Sequence, residues 1–428
     1  MQRYIKNSLF ICILLFLFVF LCQYKLNFVH LKPLNGASAK KEKPALSINS
    51  WFSGEYQKQF EDFFNEEFGF RTVLVKLNHE IDFLCFKKAH AAWVIVGKKN
   101  YIYESGYIDA YYGKDYIGEE KINNYLRQIK QIQDTLKKRN KLFLLVFAPG
   151  KASFYPEFIP DKYKTDIHPI SNYKAFSKKA EELHLDYIDF NSYFMAQKDK
   201  SKYPLYPQYG IHWSSYGAVN AFDSILHYTE KKLSVLLPQL TIHSFDYTDT
   251  LRDADNDLVQ GMNLLWKPHT FKMAYPNYTT TYDSTKHKKL NSLVISDSFW
   301  WQIYGAGLPK SIFANYNFWY YNKEMYPESS GILLHVGNAD YYTRLRNTDV
   351  IILMHTEATL ARFGFNFVDM CYQTFCQKQD TIKEKIQQSR EAIVKTPDWF
   401  NKVKKSAEEK NIPIDSEIYL NAKWMAEH

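Results

Sequence analysis

The sequence predicts an α/β fold in which the central sheet is mainly parallel. Short apolar segments alternate with segments of helical periodicity over residues 91–375; the clearest are KLFLLVFAP (141–149), LNSLVIS (290–296) and TDVIILMH (348–355). Uninterrupted apolar strands are typical of parallel sheets that helices cover on both faces. The chain has 428 residues, of which 46% are hydrophobic, so it can form one large core and an accessory region.

Residues 1–25 form a predicted membrane segment. Residues 8–22 are uninterruptedly apolar, no charged residue falls between Lys6 and Lys25, and Arg3 adds positive charge before the run. This pattern predicts export by a signal anchor or a cleaved signal peptide. We favour the anchor, because the Ala37-Ser38-Ala39 cleavage site lies far beyond the apolar run.

Residues 26–50 are then predicted to be a tether that contains prolines, a glycine and lysines. Residues 51–90 are a predicted helical lead-in, because aromatic residues recur there at helical spacing and a second helical pattern begins after Gly69. Residues 376–428 carry further helical patterns and are predicted to form a C-terminal helical element.

Within 91–375, the order of elements follows from periodicity. The segments AAWVIVG and NYIYE predict a hairpin around Lys98-Lys99, and residues 121–140 predict an amphipathic helix. Further helices are predicted at 171–185 and 214–233, and further strands at 186–190 and 311–318. Residues 238–288 lack clear periodicity and predict an insertion or a long loop.

Composition argues against several classes of function. The net charge of +8 is spread along the chain without arginine-rich clusters, so we expect no nucleic-acid partner. The cysteines and histidines lack metal-site spacing, so we expect no metal and no cofactor. Cys371 and Cys376 can form a disulfide in an oxidising compartment or remain two unpaired thiols.

Ser298 is the leading candidate for a nucleophile. It follows the apolar strand LVIS, and ligands of open α/β sheets collect at the carboxyl ends of strands. Asp297 and Ser298 also suit an ordinary helix N-cap, so the local pattern leaves both interpretations open. A serine nucleophile needs a base, and His212 in YPQYGIHWSSYGA is the candidate, just before a predicted helix.

Taken together, these residues resemble the AlgJ and AlgX type of alginate O-acetylation proteins, which share an SGNH-hydrolase-like domain. The family's marks are a G-K-x-x-W/Y hairpin, an A-P-x-K…Y-P-E segment, a D-x-H-W-x-x-x-G-A segment and a late G-D/T-S-F/Y serine. This chain has, in the same order, VGKKNYIY (96–103), FAPGKASFYPE (147–157), GIHWSSYGA (210–218) and SDSF (296–299).

The resemblance implies a three-layer α/β/α domain in which Ser298 is the nucleophile and His212 its base. Lys151 matches the lysine of A-P-x-K, with a structural or substrate-contacting role, and Asp297 and Trp213 are supporting candidates. Asn315 is a candidate oxyanion donor, although an ordinary loop asparagine is the alternative. Candidate residues for a sugar-stacking platform, or else for the core, are Trp300, Trp301, Trp319 and Tyr320.

One position departs from the family pattern. The family's acid stands two residues before the histidine, and that position is Gly210 here. In a serine triad the carboxylate sets the tautomer of the imidazole, and its loss can cost about 10⁴ in rate. Three explanations stay open: another acid such as Asp297 or Asp189, a backbone carbonyl that orients His212, or a degenerate site.

The implied activity is O-acetylation of an extracellular or cell-wall polysaccharide through an acyl-serine. The resemblance implies a multi-spanning membrane O-acyltransferase as the acetyl supplier. It also implies a place in a bacterial inner membrane, with the globular part in the periplasm or outside. The alternatives are a catalytically weak polysaccharide-binding subunit of the same machinery and a carbohydrate acetylesterase.

Overall fold

The computed structural model describes residues 2–36, 41–164, 170–329, 332–376 and 380–427. The chain begins with the apolar helix α1 (Gln2–Leu26). Residues Tyr4–Leu26 have a mean hydropathy of 2.5 and most of their apolar side chains are exposed, so the helix is long and apolar enough to cross a bilayer. A signal sequence has the same length and apolarity. Part of the predicted tether, including Ala37-Ser38-Ala39, lies outside the described residues.

The lead-in is helical, as predicted. It consists of α2 (Ile48–Phe52), α3 (Glu55–Glu67) and α4 (Arg71–Phe86). The predicted hairpin follows, with β1 (Val94–Val96) antiparallel to β2 (Ile102–Glu104). Lys99 and Asn100 in its turn adopt positive φ angles.

The centre of the described structure is a seven-stranded sheet with the order β10-β9-β8-β7-β11-β3-β4. Its five strands from β8 to β4 run parallel, and β9 and β10 add an antiparallel edge. A separate two-stranded hairpin pairs β5 with β6. The strands are β3 (Leu142–Ala148), β4 (Tyr187–Asp189), β5 (Gln239–Thr248), β6 (Met273–Thr281), β7 (Asn291–Ser296), β8 (Asn315–Tyr320), β9 (Glu324–Ser329), β10 (Ile332–His335) and β11 (Val350–Thr356).

Helices cover both faces of this sheet. Those of the domain and the C-terminal region are α5 (Ser105–Tyr111), α6 (Glu119–Lys137), α7 (Lys151–Phe154), α8 (Asn172–Glu182), α9 (Phe190–Gln197), α10 (Ser215–Leu233), α11 (Asp257–Gly261), α12 (Trp300–Gly305), α13 (Leu308–Ile312), α14 (Tyr341–Arg346), α15 (Phe367–Phe375), α16 (Asp380–Lys395), α17 (Pro397–Glu409) and α18 (Ile414–Glu427).

Successive side chains of β3 belong to two different cores. Leu144 and Val146 pack in a core with α10 and α12, whereas Phe143 and Leu145 pack in another with α6 and α8. Because neighbouring residues of a strand point to opposite faces, a fully apolar strand supplies both cores. The result is the predicted three-layer α/β/α fold, with β3 and β11 buried along their whole length.

Two predicted elements differ from the structure. The predicted strand 311–318 begins late, because the short helix α13 occupies its first residues and β8 starts at Asn315. Residues 238–288 are not an irregular loop, since they contain the β5–β6 hairpin and α11. The hairpin escaped detection because its register shifts between Ile242 and Ser244, which breaks the alternation of polar and apolar residues.

Cys371 and Cys376 are free thiols, which decides between the two alternatives for this pair. Cys371 is fully buried in the core beside α6, whereas Cys376 follows the end of α15. The Cys376 sulfur lies 3.6 Å from the Thr135 hydroxyl.

The carboxyl ends of the parallel strands meet at one edge of the sheet, where several polar residues lie. Ser298 follows β7, Glu357 follows β11, Lys151 follows β3 and Asp189 ends β4. Asn315 stands at the opposite edge, because it pairs with Asn291 at the start of β7. Five residues of strand separate that edge from the end of β7, a distance of about 17 Å.

The Glu357 carboxyl at the first of these edges is fully buried, and it accepts a hydrogen bond of 2.6 Å from the Ser153 hydroxyl. Burial raises the pKa of Glu357 from its ordinary 4.5 to about 7, while the Ser153 hydrogen bond opposes the shift. The folded state therefore holds this proton after the unfolded chain has lost it, so the charge becomes destabilising as the pH rises from about 4.5 to 7.

We expect Glu357→Gln to raise the free energy of unfolding by about 1–3 kcal/mol at pH 8 and by much less at pH 5. The neutral amide keeps the size of the side chain but never carries the buried charge. Chemical denaturation at both pH values measures the difference. An equal gain at both pH values would contradict the assignment of the effect to ionisation.

Candidate active site

Ser298, His212 and Asp257 form a hydrogen-bonded row, which we call the triad. The Ser298 Oγ lies 2.9 Å from His212 Nε2, and His212 Nδ1 lies 2.6 Å from Asp257 Oδ2. With the Nδ1–H donating to the carboxylate, Nε2 is free to accept the serine proton. This is the arrangement that activates a serine nucleophile.

Ser298 is held in a turn between β7 and α12. It is partly exposed, whereas its neighbours Asp297 and Phe299 are buried. The Asp297 Oδ2 accepts hydrogen bonds from the backbone N–H and the hydroxyl of Thr356 at 3.0 and 2.7 Å, and from the Thr359 hydroxyl at 2.8 Å. Its Oδ1 accepts a bond of 3.1 Å from the Phe299 N–H. Asp297 thus supports the serine turn from β11 and does not contact His212.

His212 is fixed by the residues on its carboxyl side. Ser214 caps α10 by accepting a 2.9 Å hydrogen bond from the Gly217 N–H. Trp213 is fully buried and packs against the Phe299 ring, with 5.5 Å between ring centroids. The imidazole of His212 packs on the same Phe299 ring at 4.8 Å. Trp213 is therefore a packing residue that orients the histidine loop.

Asp257 is the first residue of α11, within the segment that has no clear periodicity in sequence. Its Oδ1 accepts hydrogen bonds from the backbone N–H groups of Ile211, at 3.0 Å, and Leu258, at 2.7 Å. These bonds leave Oδ2 directed at His212. The Ile211 bond joins the carboxylate to the residue next to the histidine, so the two partners keep a fixed geometry.

One backbone donor near Ser298 is available for an oxyanion. The Phe299 N–H is already engaged by Asp297, whereas the Ser298 N–H has no acceptor within the part of the chain that the structure describes. A tetrahedral oxygen formed at Ser298 needs such donors. The Ser298 N–H is therefore the candidate oxyanion donor.

Residues 94–294 match the family model of the SGNH hydrolase-like domain of acetyltransferase AlgX. The matched range contains His212 and Asp257 and ends just before the Ser298 turn. This part of the chain is similar to the AlgX-type SGNH hydrolase-like domain. This similarity supports polysaccharide O-acetylation as the general function.

Solved structures similar to this chain include three bacterial proteins. The O-acetyltransferase domain of Pseudomonas putida AlgJ is 16% identical, with 66% of this chain and 99% of that chain covered and a TM-score of 0.42. Bacillus cereus PatB1 is 13% identical, with 58% and 93% covered and a TM-score of 0.36. Pseudomonas aeruginosa AlgX is 11% identical, with 64% and 67% covered and a TM-score of 0.40. No curated protein matches the chain.

The acid of the triad stands at a different position from the one that the family motif predicts. At Gly210, the position of the family's acid, an added Cβ would lie 2.1 Å from the carbonyl oxygen of Ala254 and 2.9 Å from the carbonyl carbon of Asp255. The absence of a side chain at Gly210 lets the segment 254–257 approach the histidine loop and deliver Asp257. The other acids considered from the sequence are placed elsewhere, with Asp189 capping α9 and bonding Tyr173.

Lys151 is a structural residue that supports the histidine loop. Its ammonium is completely buried and donates to the backbone carbonyls of Gln208, at 2.8 Å, and Gly210, at 2.5 Å. Burial lowers the pKa of Lys151 to about 7, and the nearby carboxylates of Asp257 and Asp255 oppose that shift. The lysine thus holds the backbone two residues before His212, and a substrate-contacting role is excluded by its burial.

Two further sequence expectations need correction. Asn315 is not an oxyanion donor, because it lies at the opposite edge of the sheet and donates to the Asn291 side chain at 2.7 Å. Trp300 and Trp319 are not platform residues, because both are fully buried. Trp301 and Tyr320 are only partly buried and contact each other, with 5.6 Å between ring centroids.

Asp257 is the site residue that the sequence did not reveal. Its one local signal is the acidic run DADND (253–257), in a segment without clear periodicity. No sequence motif links that run to His212, which stands 45 residues before Asp257. An acid at an expected spacing can be found from sequence, but an acid delivered by a separate segment cannot.

Proposed function

We propose that this protein is a serine-dependent O-acetyltransferase that acetylates an extracellular or cell-wall polysaccharide. The observation that carries the proposal is the continuous hydrogen-bonded triad of Ser298, His212 and Asp257. A subunit that only binds glycan needs no such alignment. The triad therefore favours the enzyme over the binding or scaffold subunit.

The proposed reaction has two acyl-transfer steps. His212 Nε2 takes the proton from Ser298 as its Oγ attacks the carbonyl carbon of an acetyl ester or thioester, and the leaving group departs with that proton. In the second step a sugar hydroxyl attacks acetyl-Ser298 and gives its proton to His212. The acetyl ester of the sugar is released, and the serine recovers its proton.

The proposed location is a bacterial inner membrane, with α1 as a single anchor and the globular part on the periplasmic or outer side. The length and apolarity of α1, and the exposure of most of its apolar side chains, support this location. A multi-spanning membrane O-acyltransferase is the proposed acetyl supplier, because an exported enzyme needs an acetyl donor that reaches its side of the membrane. The polysaccharide is the proposed acceptor.

The test is acetylation of the full-length protein by 4-nitrophenyl acetate, followed by intact-mass and peptide analysis. We expect a burst of 4-nitrophenol and one acetyl group on Ser298, and we expect Ser298→Ala to slow the reaction by roughly 10⁴-fold or more. Ser296→Ala is the matched control, since that buried hydroxyl has no hydrogen-bond partner among the described residues.

The outcome also separates the related functions. A Ser298→Ala variant that reacts as fast as the wild type would overturn the enzyme proposal and leave the binding subunit. Steady hydrolysis of the acetyl-enzyme, undiminished by added glycan, would indicate a carbohydrate acetylesterase. Transfer to glycan at the expense of hydrolysis would support the transferase.

A further inference from the structure

A cavity lies beside the triad, between α10, α12 and the β5–β6 hairpin. Its volume is about 520 Å³, within the range of small-molecule binding pockets. Ser215, Ala254 and Trp301 lie in its wall, and each is three residues along the chain from one member of the triad. Three residues span at most about 11 Å between Cα atoms, so the wall of the cavity lies within that distance of each member of the triad.

The wall of the cavity is rich in aromatic residues. Tyr275, Tyr278 and Trp301 line it. The Tyr278 hydroxyl donates a 2.6 Å hydrogen bond to the Ala306 carbonyl, which joins the hairpin to the end of α12 and closes one side. Aromatic rings combine an apolar face with a polar edge, a combination that suits the apolar faces and the hydroxyl rims of a sugar ring.

Gln302 gives the cavity a polar group of the kind that recognises hydroxyls. It lines the cavity, and neither its amide nitrogen nor its amide oxygen has a hydrogen-bond partner among the described residues, although both are buried. Buried polar groups without partners are rare in native proteins and call for an explanation. A carboxamide both donates and accepts, so it can pair with two neighbouring hydroxyls of a sugar.

The charges of the cavity decide which class of sugar it suits. Among the described residues that line it, the charged ones are Arg252 and Asp253. The Arg252 guanidinium is already paired with Asp246 at 3.0 Å, and it stacks on the Tyr275 ring at 4.7 Å. Among these described lining residues, no uncompensated cation therefore remains to hold the carboxylate of a uronic acid, which arginine normally binds through both oxygens.

We propose that this cavity binds an uncharged sugar unit of the acceptor glycan, next to the unit that is acetylated. The proposal rests on the proposed function, because it assigns the acceptor side of the same site. Gln302 contacts the hydroxyls of the bound unit, and the aromatic wall packs on its ring. An acidic chain such as a polyuronate is disfavoured.

The test measures binding in the full-length Ser298→Ala variant, where no acetyl transfer intervenes. The probes are neutral hexasaccharides of glucose, xylose and N-acetylglucosamine, with a galacturonic acid hexasaccharide as the charged counterpart. Saturation-transfer NMR detects contacts, and intrinsic tryptophan fluorescence gives the affinity. We expect at least one neutral probe to bind about tenfold more tightly than the charged one, a difference of about 1.4 kcal/mol.

Gln302→Met separates recognition from folding. The thioether side chain keeps the length of glutamine and removes an unpaired buried amide, so we expect unchanged or higher thermal stability together with about tenfold weaker binding of the neutral probe. Gln131→Met, on the exposed surface of α6, is the matched control and should change neither property.

Three results would overturn the proposal: unchanged affinity in Gln302→Met, tighter binding of the charged probe, or no binding of any neutral probe. These failures are distinct from a failure of the proposed function, because acetylation of Ser298 by 4-nitrophenyl acetate requires no glycan. If Ser298 is acetylated but no neutral probe binds, only the proposal of the acceptor site is overturned. If the probe binds but Ser298 is never acetylated, the enzyme proposal is overturned instead.

Discussion

Replacing Asp257 with Asn is expected to lower the rate of Ser298 acetylation by roughly 10³–10⁴-fold without unfolding the protein. The amide of asparagine donates to His212 Nδ1 where the carboxylate accepted, so the imidazole carries its proton on Nε2 and cannot take the serine proton. The loss of negative charge also removes the stabilisation of the imidazolium. Pre-steady-state release of 4-nitrophenol measures the rate.

Asp189→Asn is the matched control for that experiment. Asp189 is an acid that the sequence offers for the triad, but it caps α9 and bonds Tyr173 and Ser192. We expect this variant to acetylate Ser298 at close to the wild-type rate. If the acetylation rate of Asp257→Asn stays within about tenfold of the wild-type rate, His212 is oriented by another group, and the assignment of Asp257 as the triad acid is wrong.

Gly210→Ala is expected to destabilise the protein by about 1–3 kcal/mol and to slow acetylation by about 10²-fold. The new methyl group would stand 2.1 Å from the Ala254 carbonyl oxygen, so one of the two segments must move. Either movement separates His212 from Asp257. Chemical denaturation and the acetylation burst measure the two effects.

Gly106→Ala provides the comparison for Gly210→Ala. At Gly106 in α5 the nearest atom to an added Cβ is the Ala358 Cβ at 4.0 Å, which is an ordinary contact. Alanine is also the better helix former, so this variant should be at least as stable as the wild type. If Gly210→Ala behaved like Gly106→Ala, the close approach of segment 254–257 would not be required.

Gly210→Asp extends the same reasoning. It restores the family's motif in sequence, but we expect a less active protein, because the carboxylate cannot fit while the 254–257 backbone occupies its space. The departure at Gly210 and the acid at Asp257 are therefore two parts of one change. A site that appears degenerate in a motif can be complete in space.

The fold and two of the three triad residues follow from local sequence pattern. The apolar strands, the amphipathic α6 and the order of strands and helices along the chain are visible, because burial imposes a period on each segment by itself. Ser298 and His212 are visible because each stands in a short motif beside the start of a helix. The apolar N-terminal segment is visible from its composition alone.

The rest was decided by contacts between segments that are distant in the chain. Asp257 lies 45 residues from His212, and His212 lies 86 residues from Ser298. The register of β8 against β7 places Asn315 at the edge of the sheet opposite Ser298, and packing buries Trp300 and Trp319. Periodicity reports how one segment meets the core, whereas register and close approach depend on where two segments meet. The sequence alone therefore predicted the sheet and offered Ser298 and His212 as candidate nucleophile and base, and only the tertiary structure brought Asp257 to His212 and formed the cavity beside them.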